Sequence, residues 1–233
     1  MLLGSYQLLL EDPSSFVRLA VLVALALVTA VTVHEFSHAL VATGLGDATA
    51  RRLGRLSLNP ARHLDPTGTA MMFVAGFGWG KAVPVNQEQL SHGHTGMGLV
   101  AAAGPLSNLM VAFLLALPLK MGLLDWSGPA LNRVAYAMTD GIQQGLADII
   151  SLVIFFNVLL AVFNLIPLAP LDGSKVLAGL LPRDRAQAYA RLERHGPAIL
   201  VGVILIDYVS NLGILWGVIG PPVRALMSMA TGY

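Results

Sequence analysis

Two histidines four residues apart, with a glutamate beside the first, are the residues of this chain whose spacing could do chemistry: His34-Glu35-Phe36-Ser37-His38. On a helix, positions i and i+4 share a face with Cβ atoms roughly 5–6 Å apart, so each imidazole can give one nitrogen to one zinc ion. Glu35 lies one position round from His34, close enough to take a proton from a water at that ion. The flanking residues 19–33 and 39–41 carry no charge. A lone carboxylate at bilayer depth costs roughly 2.5–3.5 kcal/mol, which a bound cation offsets. The alternative is a histidine pair on a helix face beside a salt-bridged glutamate. That alternative has to account for three ionisable groups within an apolar run.

The elements that must hold these residues are membrane helices. The chain has 233 residues, 55% hydrophobic and 12% charged, with a mean hydropathy of +0.70, outside the range of soluble globular domains. A net charge of +1 supplies no basic stripe for a phosphate backbone, which excludes a nucleic-acid partner. There is no cysteine, so a metal would be held by nitrogen and oxygen. The first 15 residues lack the basic region and small-residue cleavage site of a signal peptide and read as a short interfacial segment. With no internal repeat, the expectation is an all-α polytopic membrane protein forming a single membrane-embedded domain over 1–233. Its core would lie at about 17–181, with accessory C-terminal helices over 182–233 and small edge β-strands.

Four segments, 17–43, 96–119, 143–169 and 197–219, are long and apolar enough to span a bilayer. A fifth, 67–79, is too short and reads as re-entrant. Loops 44–95 and 170–196 then share one side and hold ten of the fourteen Lys and Arg, leaving Arg18, Lys120, Arg133 and Arg224 opposite. Basic residues accumulate in the cytoplasm, so the first span carries His34 and His38 toward its cytoplasmic end. The third span ends on the same side and is followed by Asp172, which can come level with the two rings. As a third ligand Asp172 leaves a fourth position open, the arrangement of catalytic zinc. It could equally cap a short helix beginning at Gly173 or Ser174.

The remaining polar residues offer weaker signals. Gly76-Phe77-Gly78-Trp79-Gly80 reads as a flexible loop leading through Lys81 and Ala82 into a short edge strand, Val83-Pro84-Val85-Asn86, where Pro84 is allowed because one side is unpaired. Such an edge can take an extended peptide as an added strand; an ordinary surface hairpin is the other reading. His63 and Asp65 fit a hydrogen-bonded loop better than a second metal pair, and His92 and His94 read as solvated. Pro105 opens its helix, and Asn108 needs a partner inside the bundle, a packing role. Asn157 and Asn164, seven apart, share a face. Asn164 could face the metal site, and either residue could simply join helices. Residues 183–194 form an amphipathic surface helix, and the last span, with Asp207 and Asn211, has no assignable chemistry.

Taken in order, HEFSH at 34–38, NPARHLDPTGT at 59–69, GKAVPVN at 80–86, GPLSN at 104–108 and FNLIPLAPLDG at 163–173 resemble the site-2 proteases, a family of intramembrane zinc metalloproteases. The resemblance implies that His34, His38 and Asp172 bind one zinc ion, that Glu35 is the general base, and that Asn164 assists near the metal. It implies a three-helix catalytic core and regulated cleavage of transmembrane protein substrates in the lipid bilayer, at a multi-pass cell-membrane site facing the cytoplasm. Leu171 stands before Asp172 where the family often has Asn-Pro, and no PDZ or CBS domain is expected. A competing function, a membrane metal-ion transporter or sensor, would use the same His and Asp residues but needs exchangeable ligands along a path.

Overall fold

The computed structural model describes residues 6–75, 78–126, 128, 134–135 and 141–233. A short helix, α1 (Tyr6–Glu11), precedes α2 (Pro13–Gly44). The start of α2 is set locally. Pro13 occupies the first turn, and the Asp12 carboxylate accepts the Ser15 N–H at 3.1 Å and the Ser15 hydroxyl at 2.6 Å, a helix N-cap. Those bonds, the Ser15 hydroxyl first, hold the Asp12 carboxyl down to about 2. With 32 residues, α2 is about 48 Å long, more than the ~30 Å hydrocarbon thickness.

The chain continues through α3 (Thr49–Arg52), α4 (Pro66–Ala75), α5 (Gly93–Leu115), α6 (Leu117–Lys120) and α7 (Ile142–Asn164). It ends with α8 (Asp172–Leu180), α9 (Arg183–Glu193), α10 (Gly196–Ser210) and α11 (Ile214–Thr231). Three stretches are apolar and long enough to cross a membrane: α2, α5 with α6, and α7. They pack on one another, α8 lies against α5, and α11 against α7. Small residues such as Ala26, Ala112 and Ala161 are fully buried, letting backbones approach where the hydrophobic effect gives no drive between helices in lipid. Val21, Leu25, Leu106 and Leu114 point outward, as helices apolar all round must in a bilayer. The seat of α8 depends on two glycines. A Cβ on Gly179 would lie 2.8 Å from the Gly98 Cα, and one on Gly98 would lie 3.0 Å from the Gly179 Cα.

The structure corrects the sequence-based picture at three places. No strand occurs among the described residues. Leu64 and Gly80 form an isolated antiparallel bridge, and Val83 to Asn86 run extended without a ladder because side chains take their inward hydrogen bonds. The expected span over 197–219 is broken. α10 and α11 meet at 101° through Asn211 and Gly213, both left-handed with φ of 53° and 67°. Asp207 caps the second half, accepting the N–H groups of Ile214 at 2.5 Å and Leu215 at 3.3 Å. The third span stops at Asn164 rather than 169, because a turn-rich segment follows it to Leu171. Of the segment read as re-entrant, α4 is described as a helix; Gly76 and Phe77 lie outside the described residues. The charged helix expected over 183–194 is α9.

Candidate metal centre

One helical turn of α2 brings His34 and His38 together, with ring centroids 4.6 Å apart at an interplanar angle of 88°. Both are buried, 5% and 7% exposed. Asp172, the first residue of α8, places its Oδ2 at 2.9 Å from His34 Nε2 and 3.2 Å from His38 Nε2. The cap position of α8 is Leu171, and no side chain caps that helix. Asp172 is therefore turned to the imidazoles rather than spent on its own backbone. One atom from each residue lies within 4.8 Å of the others, and among the described residues this is the group of His, Asp and Glu that could hold a metal ion.

The surroundings test whether the donor set fits a cation. His34 Nδ1 lies 2.7 Å from Asn108 Oδ1, and His38 Nδ1 lies 2.7 Å from the Val100 carbonyl. Both partners are acceptors, so each ring carries its proton on Nδ1 and directs Nε2 at the shared carboxylate. With the proton on Nδ1, the two Nε2 atoms and the carboxylate oxygen converge as a donor set that could hold a cation. Outer acceptors on the far ring nitrogen are the arrangement that orients metal-binding histidines. Two imidazoles and a carboxylate suit zinc. Gly104 makes the packing possible. A Cβ there would lie 2.5 Å from His38 Nε2 and 2.7 Å from His34 Cε1.

Glu35 leaves the same turn one position round from His34. Its Oε2 accepts the Val83 N–H at 3.1 Å, and a Cβ on Gly80 would lie 3.4 Å from its Oε1. The extended segment from Lys81 to Asn86 is pinned at two further points. The buried Arg55 donates to the carbonyls of Arg62 and, at 3.2 Å, Lys81. The buried Asp47 accepts the Asn86 N–H at 2.6 Å.

His34, Glu35, His38, Val83, Val85, Asn164 and Asp172 all border one cavity of about 660 Å³, whose walls are mainly apolar. Pro84 and Asn86 do not border it. Asn164 faces the cavity, yet its side-chain nitrogen donates to Leu160 of its own helix at 3.0 Å. Asn157, grouped with it by spacing, is instead held in the core by Asn108 at 2.8 Å. His63 is a loop residue whose Nε2 bonds the Ser57 carbonyl at 2.6 Å. Asn108 touches the site itself. Its signal in the sequence was an amide one turn beyond Gly104 in a span, where a buried polar group must find a partner. Pro197, Leu200, Val201 and Ile204 of α10 also line the cavity, a contribution that periodicity could not indicate.

The chain is similar to known proteins over most of its length. The sequence profile of Peptidase family M50 matches residues 121–206, a stretch that includes Asn157, Asn164 and Asp172. YwhC of Bacillus subtilis, which bears a zinc-metalloprotease name, is 37% identical over 194 residues, 82% of this chain and 83% of its own length. Rip2 of Mycolicibacterium smegmatis, named in the same way, is 30% identical over 85% of this chain and 72% of its own length. Its Mycobacterium tuberculosis counterpart is 28% identical over 83% of this chain. No solved structure matches. A buried His-His-Asp cluster among apolar helices, together with an identity of 37% sustained along most of both chains, places this protein in Peptidase family M50, the site-2 proteases, as a membrane zinc metalloprotease.

Proposed function

We propose that the chain hydrolyses peptide bonds of transmembrane protein substrates at or within the bilayer, in regulated intramembrane proteolysis, from a site open to the cytoplasmic side. The observation that carries this reading is the convergence of His34 Nε2, His38 Nε2 and Asp172 Oδ2 inside the helical bundle. These three would hold the zinc ion. When bound, zinc supplies Lewis acidity, polarising a carbonyl and lowering the pKa of a water toward neutrality. Glu35 is the general base. With Oε2 engaged by Val83, Oε1 takes the proton of the attacking water and later returns it to the leaving amine. Asn164 spends one N–H on Leu160 and has a second for the developing oxyanion.

A transmembrane helix hides its carbonyls in internal hydrogen bonds, so a substrate has to unwind before it is cut. The segment of Val83, Pro84, Val85 and Asn86 receives the unwound stretch. Glu35 and Asp47 hold its inner side, while Ala82 N–H and C=O and Pro84 C=O have no partner among the described residues and are open to an added extended peptide. Val31, Met97, Leu160 and Phe163 in the cavity wall suit apolar side chains. The catalytic core spans about 17–181 of one membrane-embedded domain, and the accessory residues 182–233 reach the site through α10. The Arg-rich loops set the cytoplasmic orientation.

The test is co-expression with candidate single-pass membrane proteins, comparing the wild type with Glu35→Gln. The wild type releases a fragment and the variant does not, although both retain zinc. Equal release by the two would overturn the assignment of Glu35, and zinc-free wild type that still cleaves would overturn the metal mechanism.

A further inference from the structure

The polar contact behind His34 has a direction. Asn108 is wholly buried and Asn157 is 1% exposed. The side-chain nitrogen of Asn108 donates to the Ala30 carbonyl at 3.0 Å and to Asn157 Oδ1 at 2.8 Å, which uses both its hydrogens. Its Oδ1 is then the atom left for His34 Nδ1, at 2.7 Å. Turning the amide over would set its oxygen against two acceptors. Asn157 is oriented in the same way, its nitrogen donating to the Val153 carbonyl of its own helix at 2.8 Å. Each polar atom in the series therefore accepts or donates in one sense only. The series begins at a helix carbonyl on α7, crosses to α5 and ends at the imidazole on α2.

We infer that Asn108, held by Asn157, is a positioning residue for the metal centre: it fixes His34 in the Nδ1–H tautomer and keeps the Nε2 lone pair aimed at the cation. His38 is oriented by the Val100 backbone carbonyl, which no side-chain change can remove. His34 alone relies on a side chain, so the centre can be loosened from the second span without touching a ligand. Outer partners of metal-bound histidines are typically worth about 10- to 100-fold in metal affinity. Asn157 touches neither ring and acts through Asn108. Its removal leaves Asn108 the Ala30 carbonyl, but frees the amide to turn over.

This inference rests on His34 being a ligand, so the experiment separates the two. Purified chain in detergent is stripped of metal and titrated with zinc(II) against a chromophoric chelator. The variants are His34→Ala, Asn108→Leu, Asn108→Asp, Asn157→Leu and the Asn108→Leu/Asn157→Leu double. Melting of the metal-free forms is recorded beside each titration. Asn108→Leu should weaken binding by about 10- to 100-fold; Asn108→Asp keeps an acceptor for Nδ1–H but sets its second oxygen against the Ala30 carbonyl and Asn157 Oδ1, so it should lose affinity too, by less than Asn108→Leu. Asn157→Leu should lose less, and the double variant no more than Asn108→Leu alone, since both act on one contact. His34→Ala with wild-type affinity would remove the metal-centre reading altogether. His34→Ala without binding, combined with wild-type affinity for Asn108→Leu, would overturn this inference alone. So would losses that add in the double variant, or that follow the metal-free melting temperature, because packing would then be the whole role of the amides.

Discussion

Val83 donates its backbone N–H to Glu35 Oε2 at 3.1 Å, so the carboxylate beside the metal cluster also anchors the extended segment that borders the cavity. The segment has no sheet neighbour. Arg55, Glu35 and Asp47, three charged side chains from the end of α2 and from either side of α3, hold it at Lys81, Val83 and Asn86. A displacement of the segment is therefore a displacement of Glu35.

Glu35→Gln keeps an acceptor for Val83 while losing the proposed base. Hydrolysis of a transmembrane peptide should fall by about 10²–10⁴-fold or more, with KM and zinc content unchanged. Glu35→Ala removes the anchor too and should raise KM as well. Steady-state assays of both variants in the same lipid check this, and an unchanged KM for Glu35→Ala would disconnect the segment from the carboxylate.

Asp47→Ala should loosen the far end of the segment. Asp47 is fully buried, accepting the Asn86 N–H at 2.6 Å and the Thr49 N–H at 2.9 Å. Hydrogen bonds to a charged group contribute about 1.5–3 kcal/mol, so amide exchange across 83–90 should quicken by about tenfold or more. Burial pushes the Asp47 carboxyl up, but bonds from Thr49 and Asn86 and the charge of Arg52 outweigh this and lower it. A carboxylate lowered in the folded state adds stability above its ordinary range and loses it as pH falls through the lowered value. Wild-type exchange, corrected for intrinsic rates, should thus stay level from neutrality down to about pH 4 and rise only below it.

Gly104→Ala should damage the metal centre from a helix that supplies no ligand. The added carbon would stand 2.5 Å from His38 Nε2, forcing α5 away at a cost of about 1–3 kcal/mol. Zinc affinity should drop at least about tenfold, in line with a displaced outer partner. Gly44→Ala, with nothing within 4 Å of the new carbon, should bind zinc as the wild type does and serves as the control.

Chelation of zinc should abolish hydrolysis and lower the melting temperature, since a cation that binds only the folded chain stabilises it by mass action. Zinc should restore both. Asp172→Ala leaves two nitrogen ligands and should prevent restoration. Zinc analysis after re-addition, together with melting curves, checks this.

The sequence by itself determined the features that depend on near neighbours. The histidine pair, three of the four expected spans and the charged helix expected over 183–194 rest on composition and on positions three or four apart, which helix geometry converts directly into faces. The pairing of His34 with Asp172, 138 positions away, was legible only as far as the charge rule put both on one side of the membrane; a cap for the following helix was equally open until the fold turned Asp172 to the imidazoles. Asn108 was not. An amide in a span can satisfy itself on many carbonyls, and its choice of His34, 74 positions away, and of Asn157, 49 away, is made only when three helices close on one another. Tertiary structure likewise decided that the segment from Lys81 to Asn86 is held by side chains rather than a ladder, and that α10 turns from α11 to line the cavity. Local periodicity records which way a side chain points; what it meets there is set by the packing of distant backbones.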